Sequence, residues 1–173
     1  MNKTNINQQL RRVFFALTIV GALFTLPKAQ ASPPVPASGS GTQCENVTDF
    51  RQVGPNLIIT NSFTSDFTGT FTGTLVGTER DVVYADFSAS FHGSGIFTGS
   101  VNGSQPGTIM MTYVGTAPGP VGGIAYWVVA EGTGGLASLH GHGTFLNIME
   151  TGPTPDCDDT FSNDYSGQIQ FAP

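Results

Sequence analysis

Residues 67–79 read FTGTFTGTLVGTE and alternate two kinds of residue with a period of two. One set of positions carries phenylalanine, glycine and leucine, and the positions between them carry mainly threonine. Because side chains of a β-strand point alternately to the two faces of its sheet, this pattern predicts an apolar inner face and a threonine outer face. Glycines on the inner face leave room where a sheet curls tightly or where a ligand fits.

The same rule, with aromatic residues and glycine inward, applies to several later segments. Residues 87–93 place Phe87, Ala89 and Phe91 inward, and residues 139–147 do the same for Leu139 and Phe145. Residues 123–131 are apolar on both faces. For that segment the pattern leaves open which face points inward.

The whole chain fits an all-β domain. Its 173 residues include 23 glycines and 11 prolines, and only 10% are charged, which argues against long helices and coiled coils. The pattern predicts about eight strands joined by short turns. Since a meander leaves two exposed edges unless it closes, we predict a closed antiparallel eight-stranded meander barrel, with a two-sheet sandwich as the alternative.

The N-terminal segment is typical of an export signal. A basic stretch with Lys3, Arg11 and Arg12 precedes an apolar run, and Ala29, Gln30 and Ala31 form an A-x-A cleavage pattern. We therefore predict a signal peptide over residues 1–31, cleaved near Ala31, and a secreted or periplasmic product. Residues 32–43, rich in proline, serine and glycine, are predicted to be a flexible leader, and residues 44–173 the barrel domain.

The charge balance excludes some partners. Beyond residue 31 only Arg51 and Arg80 are basic, against all twelve acidic residues. Nucleic acids and anionic membrane surfaces are recognised through Lys and Arg, so we expect neither as a partner. No later segment has the roughly 20 apolar residues that a membrane-spanning helix needs, and we expect no membrane insertion.

The two cysteines, Cys44 and Cys157, lie near the two ends of the predicted domain. In an exported chain a disulfide between them is the natural interpretation, with two free buried thiols as the alternative.

Several segments resemble one protein family. They are residues 71–77 (FTGTLVG), 91–103 (FHGSGIFTGSVNG), 113–115 and 127–145 (WVVAEGTGGLASLHGHGTF). Over about residues 57–171 the chain resembles the domain of unknown function 3224 family of small bacterial proteins. The resemblance implies an eight-stranded barrel similar to allene oxide cyclase, and it implies no established activity.

Metal binding is weakly indicated at two places. His140 and His142 share a strand face, with His92 as a conceivable third ligand, but the alternation points all three outward, which favours a solvated surface. Asp156, Asp158, Asp159 and Asp164 surround Cys157, and Phe161 occupies the position at which a calcium-binding EF-hand needs glycine. We expect a solvated acidic loop, no metal and no cofactor.

Glu131 is the weak catalytic candidate. It lies beside Gly132 and four residues from Trp127, so on a regular strand the Glu131 and Trp127 side chains share a face. We interpret Glu131 as an acid near a barrel mouth with an aromatic neighbour. An exposed acid at a strand end is the alternative. The chain has no G-x-S-x-G elbow, phosphate-binding loop or dinucleotide fingerprint, so hydrolases and nucleotide-binding enzymes lack their required parts.

The leading hypothesis is a barrel that binds a small apolar ligand or a partner segment without catalysing a reaction. Its predicted lining is aromatic and aliphatic: Phe67, Phe71, Leu75, Phe91, Phe97, Tyr113, Trp127 and Phe145. One alternative is a cofactor-free cyclase or isomerase resembling allene oxide cyclase, assisted by Glu131. The other is a packed structural barrel that forms a homo-oligomer through its outer threonine face.

Overall fold

The fold is seen in a computed structural model, and the structure describes residues 32–119, 122–151 and 153–172. The predicted signal peptide, residues 1–31, lies outside the described residues. Within the described part, no helix has the length and apolarity that crossing a bilayer requires.

Eight antiparallel strands form a closed barrel in which neighbours in sequence pair with each other and β8 pairs with β1. The strands are β1 Val35–Val53, β2 Asn56–Gly69, β3 Phe71–Val83, β4 Ala89–Val101, β5 Gly107–Gly119, β6 Gly122–Gly134, β7 Leu139–Thr151 and β8 Asp159–Phe171. This confirms the predicted all-β closed eight-stranded meander barrel. The more specific likeness to allene oxide cyclase stays a prediction.

Strand β1 corrects the expected flexible leader over residues 32–43. The strand begins at Val35, which pairs with Ile169, and Gly39 pairs with both Gly69 and Tyr165. Ala37 is buried in the core. The closure of the barrel explains the difference, because a strand between β2 and β8 gains backbone hydrogen bonds on both sides, which outweigh the low strand propensity of Pro, Ser and Gly.

Residues 67–79 have the predicted inner and outer faces, but they belong to two strands, because β2 ends at Gly69, where φ is 98°, and β3 begins at Phe71. Phe67, Phe71 and Leu75 are at most 5% exposed, whereas Thr68 and Thr72 are exposed. The pattern left open which face of residues 123–131 points inward. Trp127 is 1% exposed and Tyr126 is 61% exposed, so the face that carries Trp127 points inward.

Phe87 departs from the alternation. Its side chain is 73% exposed, and it has a φ of 65° in the turn between β3 and β4, where its N–H donates to the Tyr84 carbonyl over 3.0 Å. The turn interrupts the period of two before β4 begins at Ala89.

One half of the interior is filled by side chains. Aromatic rings pack edge to face, with ring centroids 5.6 Å apart for Phe71 and Phe97, and 5.7 Å apart for Phe71 and Trp127. The Tyr165 hydroxyl donates to the Thr68 carbonyl over 3.0 Å and accepts from the Phe71 N–H over 2.8 Å. This half, which we call the packed half, also contains the fully buried Leu136 from the β6–β7 connection.

A disulfide joins Cys44 and Cys157, whose Cα atoms are 5.4 Å apart, as predicted. It ties β1 to the connection between β7 and β8. The same connection is held by the Asp158 N–H, which donates to the Glu45 carbonyl over 2.9 Å, and by the Asp158 carboxylate, which accepts from the Val47 N–H over 2.8 Å.

Candidate functional site

A cavity of about 320 Å³ occupies the other half of the interior, next to the β3–β4 turn. We call it the acid cavity. Its apolar wall includes Ile59, Val83, Phe91, Ala117, Met149 and Phe161. Its polar lining consists of Glu45, Asn61, Glu79, Asp81, Asn147 and Asp159. Four acidic and two amide side chains thus share one small volume with an apolar wall.

Hydrogen bonds connect the polar side chains across four strands. Asn163 Nδ2 donates to Gln43 Oε1 over 2.8 Å, and Gln43 Nε2 in turn donates to Glu45 Oε1. Asn61 Nδ2 donates to Asp81 Oδ2 over 2.9 Å and to Glu45 Oε2 over 3.4 Å. The amide groups thereby hold two of the carboxyl groups in place.

Glu79 lies opposite Asn61 on one side and opposite Gly93 on the other. Gly93 is also paired with Tyr113, and a Cβ atom at Gly93 would lie 2.3 Å from the Tyr113 hydroxyl. Because Gly93 has no side chain, the Tyr113 ring reaches across β4 towards Glu79. The missing side chain therefore brings a phenol and a carboxyl group together.

Several buried oxygens of the acid cavity have no partner in hydrogen-bond geometry. They are Asn61 Oδ1, Glu79 Oε2, Asp81 Oδ1 and Asn147 Oδ1. The hydroxyl oxygen of Tyr113 also has no partner in hydrogen-bond geometry. Since nearly all buried polar atoms in native proteins are paired, this concentration of unpaired oxygens makes the acid cavity the candidate binding site.

Burial raises the pKa of Glu79 to about 9; the charges of Glu45 and Asp81 add to the rise, and the Tyr113 hydroxyl opposes it. Burial also raises the pKa of Glu45 to about 7, against a hydrogen bond from Gln43 that lowers it. The pKa of Asp81 is raised, because the effect of burial outweighs the lowering by the neighbouring Glu79 carboxyl and by the hydrogen bond from Asn61. Near neutral pH the cavity therefore holds protons as well as negative charge.

Sequence reasoning missed these acids, although the signal that could have found them was present. Glu79 and Asp81 continue the inward positions of residues 71–77 along β3 without interruption. Acidic residues are rarely buried, which gave no reason to extend the apolar face past Gly77.

The predicted ligand-binding residues divide into two groups. Phe91 lines the acid cavity. The others belong to the buried core of the barrel: Phe67, Phe71, Leu75, Phe97, Tyr113, Trp127 and Phe145. Most of these rings contact each other, so the structure places them in packing contacts, and only the Tyr113 hydroxyl approaches the cavity acids.

Glu131 does not lie where the sequence placed it. It is exposed, and it is eight residues beyond Gly123 of the cavity along β6, a distance of about 26 Å at the usual rise of a strand. Met110 pairs with Glu131 whereas Met111 pairs with Val129, so one extra residue is inserted between them. This bulge reverses the alternation after Val129 and turns Glu131 outward.

The three histidines considered as metal ligands lie on two different strands. His140 and His142 are exposed on β7, and His92 is exposed on β4, as the alternation predicted. Within residues 32–119, 122–151 and 153–172, no group of three or more His, Cys, Asp or Glu side chains is arranged to hold a metal ion. Of the acidic residues around Cys157, Asp159 alone lines the acid cavity, and the pKa of its carboxyl is raised by burial.

A larger groove, of about 620 Å³, lies on the outer surface and includes Val114, Ile124 and Tyr126. It contains none of the unpartnered buried oxygens, so the acid cavity is the better candidate site. Exposed apolar side chains are common on the outer faces of β5, β6 and β7. Self-association through the threonine face stays a prediction.

Comparison with known proteins supports the fold. No family model matches the sequence, and no curated protein matches it either. The crystal structure of a protein of unknown function from the DUF3224 family of Shewanella oneidensis MR-1 is similar, with a TM-score of 0.56 and 17% sequence identity. The match covers 83% of this chain and 99% of that protein. The predicted resemblance to the DUF3224 family is thereby confirmed as a likeness of fold.

Proposed function

We propose that this protein binds a small, largely apolar ligand in the acid cavity. The observation that carries the proposal is the combination of an apolar wall with buried, unpartnered oxygens in a cavity of about 320 Å³. Known ligand sites share this composition, in which apolar surface supplies most of the affinity and a few polar groups fix the orientation. The packed half of the barrel serves as the rigid support of the site.

Binding of the neutral, solvatochromic naphthalene probe prodan tests this proposal. We expect a blue shift and enhancement of prodan fluorescence on addition of the protein, because the probe leaves water for an apolar wall. The intrinsic fluorescence of Trp127 cannot replace prodan as the reporter of binding, because the Trp127 side chain is buried among rings of the packed half.

Two variants on β5 separate cavity binding from surface binding. Ala117→Phe fills the cavity, whereas Val114→Phe adds the same ring on the outer face, where Val114 is 59% exposed. We expect the first to abolish prodan binding and the second to leave it unchanged. Equal binding by both variants would contradict the proposal.

A cofactor-free cyclase or isomerase is the second candidate function. It is favoured by two cavity acids whose pKa values differ, about 7 for Glu45 and about 9 for Glu79. Near pH 8 the first is mainly a base and the second mainly an acid, the pair that proton transfer to and from a substrate needs. In this candidate function Glu45 and Glu79 take the catalytic role that the sequence analysis gave to Glu131.

The Kemp elimination of 5-nitrobenzisoxazole tests for such a base. The Glu45 carboxylate takes the carbon-bound proton of the probe, and the nitrogen–oxygen bond breaks to give a cyanophenolate. We expect a rate that rises between pH 6 and 8 and falls at least tenfold in Glu45→Gln, but not in Glu131→Gln. A rate that is the same in both variants would remove this candidate.

Export to an oxidising compartment is also proposed. The disulfide supports it, because disulfides persist outside the reducing cytosol. N-terminal sequencing of the product recovered from the periplasm or the medium is expected to show a chain that begins after Ala31.

A further inference from the structure

The acid cavity has a distinctive set of hydrogen-bonding groups. Glu79 is 8% exposed and Asn61 is 5% exposed; both side chains line the cavity, and each has a buried oxygen without a hydrogen-bond partner. Asp81 Oδ1 and Asn147 Oδ1 are two further unpartnered oxygens. All four are carboxyl or amide oxygens. The proton of Glu79 and the hydroxyl of Tyr113 supply at most two donors, so the cavity is short of hydrogen-bond donors.

The amide donor that could serve them is already engaged. Asn61 Nδ2 donates to both Asp81 and Glu45. The side chain of Asn61 therefore cannot turn its donor towards the unpartnered oxygens without losing these bonds.

Among the residues that the structure describes, no lysine or arginine lines the acid cavity. Arg80 lies between Glu79 and Asp81 in sequence, and the alternation of β3 turns it outward, where it is exposed. Arg51 is exposed in the extension of β1. His92, which is exposed on β4, lowers the pKa of Asp81.

We propose that the ligand of the acid cavity carries a primary ammonium group on an apolar body, with its nitrogen among Glu79, Asp81 and Asn61. An ammonium group has three donors and a positive charge, and it has no acceptor that would conflict with the carboxyl oxygens. The apolar body lies against Ile59, Phe91 and Met149. This inference deepens the proposed function and rests on it.

Proton release accompanies binding. The carboxyl of Glu79 faces Glu45 on β1, Asp81 on its own strand and Tyr113 on β5, and burial keeps it protonated at neutral pH. A bound ammonium favours the carboxylate, so Glu79 loses its proton as the ligand enters.

The test compares three ligands that share an eight-carbon chain: octylamine, octanol and octanoate, titrated calorimetrically at pH 7 and physiological salt. We expect octylamine to bind at least tenfold more tightly than octanol, and octanoate not to bind. Titrations in buffers of different ionisation enthalpy are expected to show release of protons with octylamine and none with octanol.

Variants then locate the nitrogen. Glu79→Gln and Asp81→Asn are expected to weaken octylamine binding at least tenfold and thereby to remove most of its advantage over octanol. Glu131→Gln removes one negative charge from the exposed surface and is expected to change neither, which controls for general attraction of a cation to an acidic protein. Asp81→Asn is a second variant of similar shape should Glu79→Gln be poorly folded.

The failures are distinguishable. If prodan and octanol bind and octylamine has no advantage, the ammonium inference is wrong and the ligand-binding function stands. If octylamine affinity is unchanged in both cavity variants, the inference is equally overturned. If none of the four molecules binds to the wild-type protein, the proposed function fails with it.

Discussion

Glu79 shows how the position of one side chain changes its chemistry. Its neighbours Thr78 and Arg80 are exposed, whereas Glu79 itself is 8% exposed and faces other acids. Its proton is retained because the charged form would lie in an apolar, negatively charged environment. The same residue type at Glu131 lies in solvent.

The raised pKa of Glu79 predicts a pH dependence of stability. The carboxyl is protonated in the folded state up to about pH 9 but ionises near 4.5 when unfolded, so its contribution is fully present below pH 4.5 and is lost as pH rises towards 9. We expect the free energy of unfolding, measured by urea denaturation, to fall between pH 5 and 8.5. In Glu79→Gln the fall is expected to be smaller by at least about 1.4 kcal/mol.

The remaining pH dependence in Glu79→Gln comes from Glu45, Asp81 and Asp159, whose pKa values are also raised. Glu131→Gln is the control, and it should show the same fall as the wild type. A fall that is unchanged in Glu79→Gln would show that this carboxyl does not retain its proton in the folded protein.

At the scale of the strands, paired glycines determine how closely the backbones and the rings approach. Gly143 of β7 lies opposite Gly167 of β8, and the Trp127 ring covers both. A Cβ atom at Gly143 would lie 2.6 Å from the Trp127 ring and 2.0 Å from the Ser166 carbonyl oxygen. Neither neighbour can move far, because one is backbone and the other is 1% exposed.

Gly143→Ala is therefore expected to destabilise the protein by about 1–3 kcal/mol, the usual cost of overpacking. Thermal denaturation followed by circular dichroism measures the effect. Gly119→Ala is the matched control, since a Cβ atom there would have no neighbour within 4 Å, and we expect a change within about 0.5 kcal/mol. Equal stability of the two variants would contradict this account of the β7–β8 pair.

At the scale of the whole molecule, the closure of the barrel depends on pairing between its first and last strands. β1 pairs with β8 from Val35 to Glu45, and the disulfide from Cys44 lies at the end of this seam. The sequence separation of 113 residues means that the bond restricts most of the unfolded chain.

Removal of the disulfide in Cys44→Ala/Cys157→Ala is expected to cost about 2–5 kcal/mol of unfolding free energy. The wild type under a strong reductant should show the same loss, and the reductant should have no effect on the double variant. A reductant-insensitive wild type with an accessible, reduced pair of thiols would contradict the stabilising role.

Local patterns predicted the fold well, and the reason is physical. Alternation along one strand, as in Phe71, Thr72 and Leu75, reports directly on which side faces the core, and closure follows from the cost of exposed strand edges. The disulfide could also be predicted from the sequence, because the chain has only two cysteines, Cys44 and Cys157.

The site could be predicted only in part. Phe91 was correctly placed on the inner face, but the division of the interior into a packed half and a cavity depends on how side chains from all eight strands fill the space. Glu131 was misplaced because a bulge breaks the alternation that its numbering implies. The role of Glu79 was missed because burial of an acid depends on partners from other strands.

By itself, then, the sequence determined an all-β barrel, its inner and outer faces and the covalent link between its ends. These features depend on the period of a strand and on the count of cysteines, which are local properties. Only the tertiary structure decided that Val35–Val53 is one strand and that four acids meet in one cavity. Those outcomes depend on contacts between residues distant in sequence, namely the β1–β8 seam and the approach of Glu45, Asn61 and Glu79.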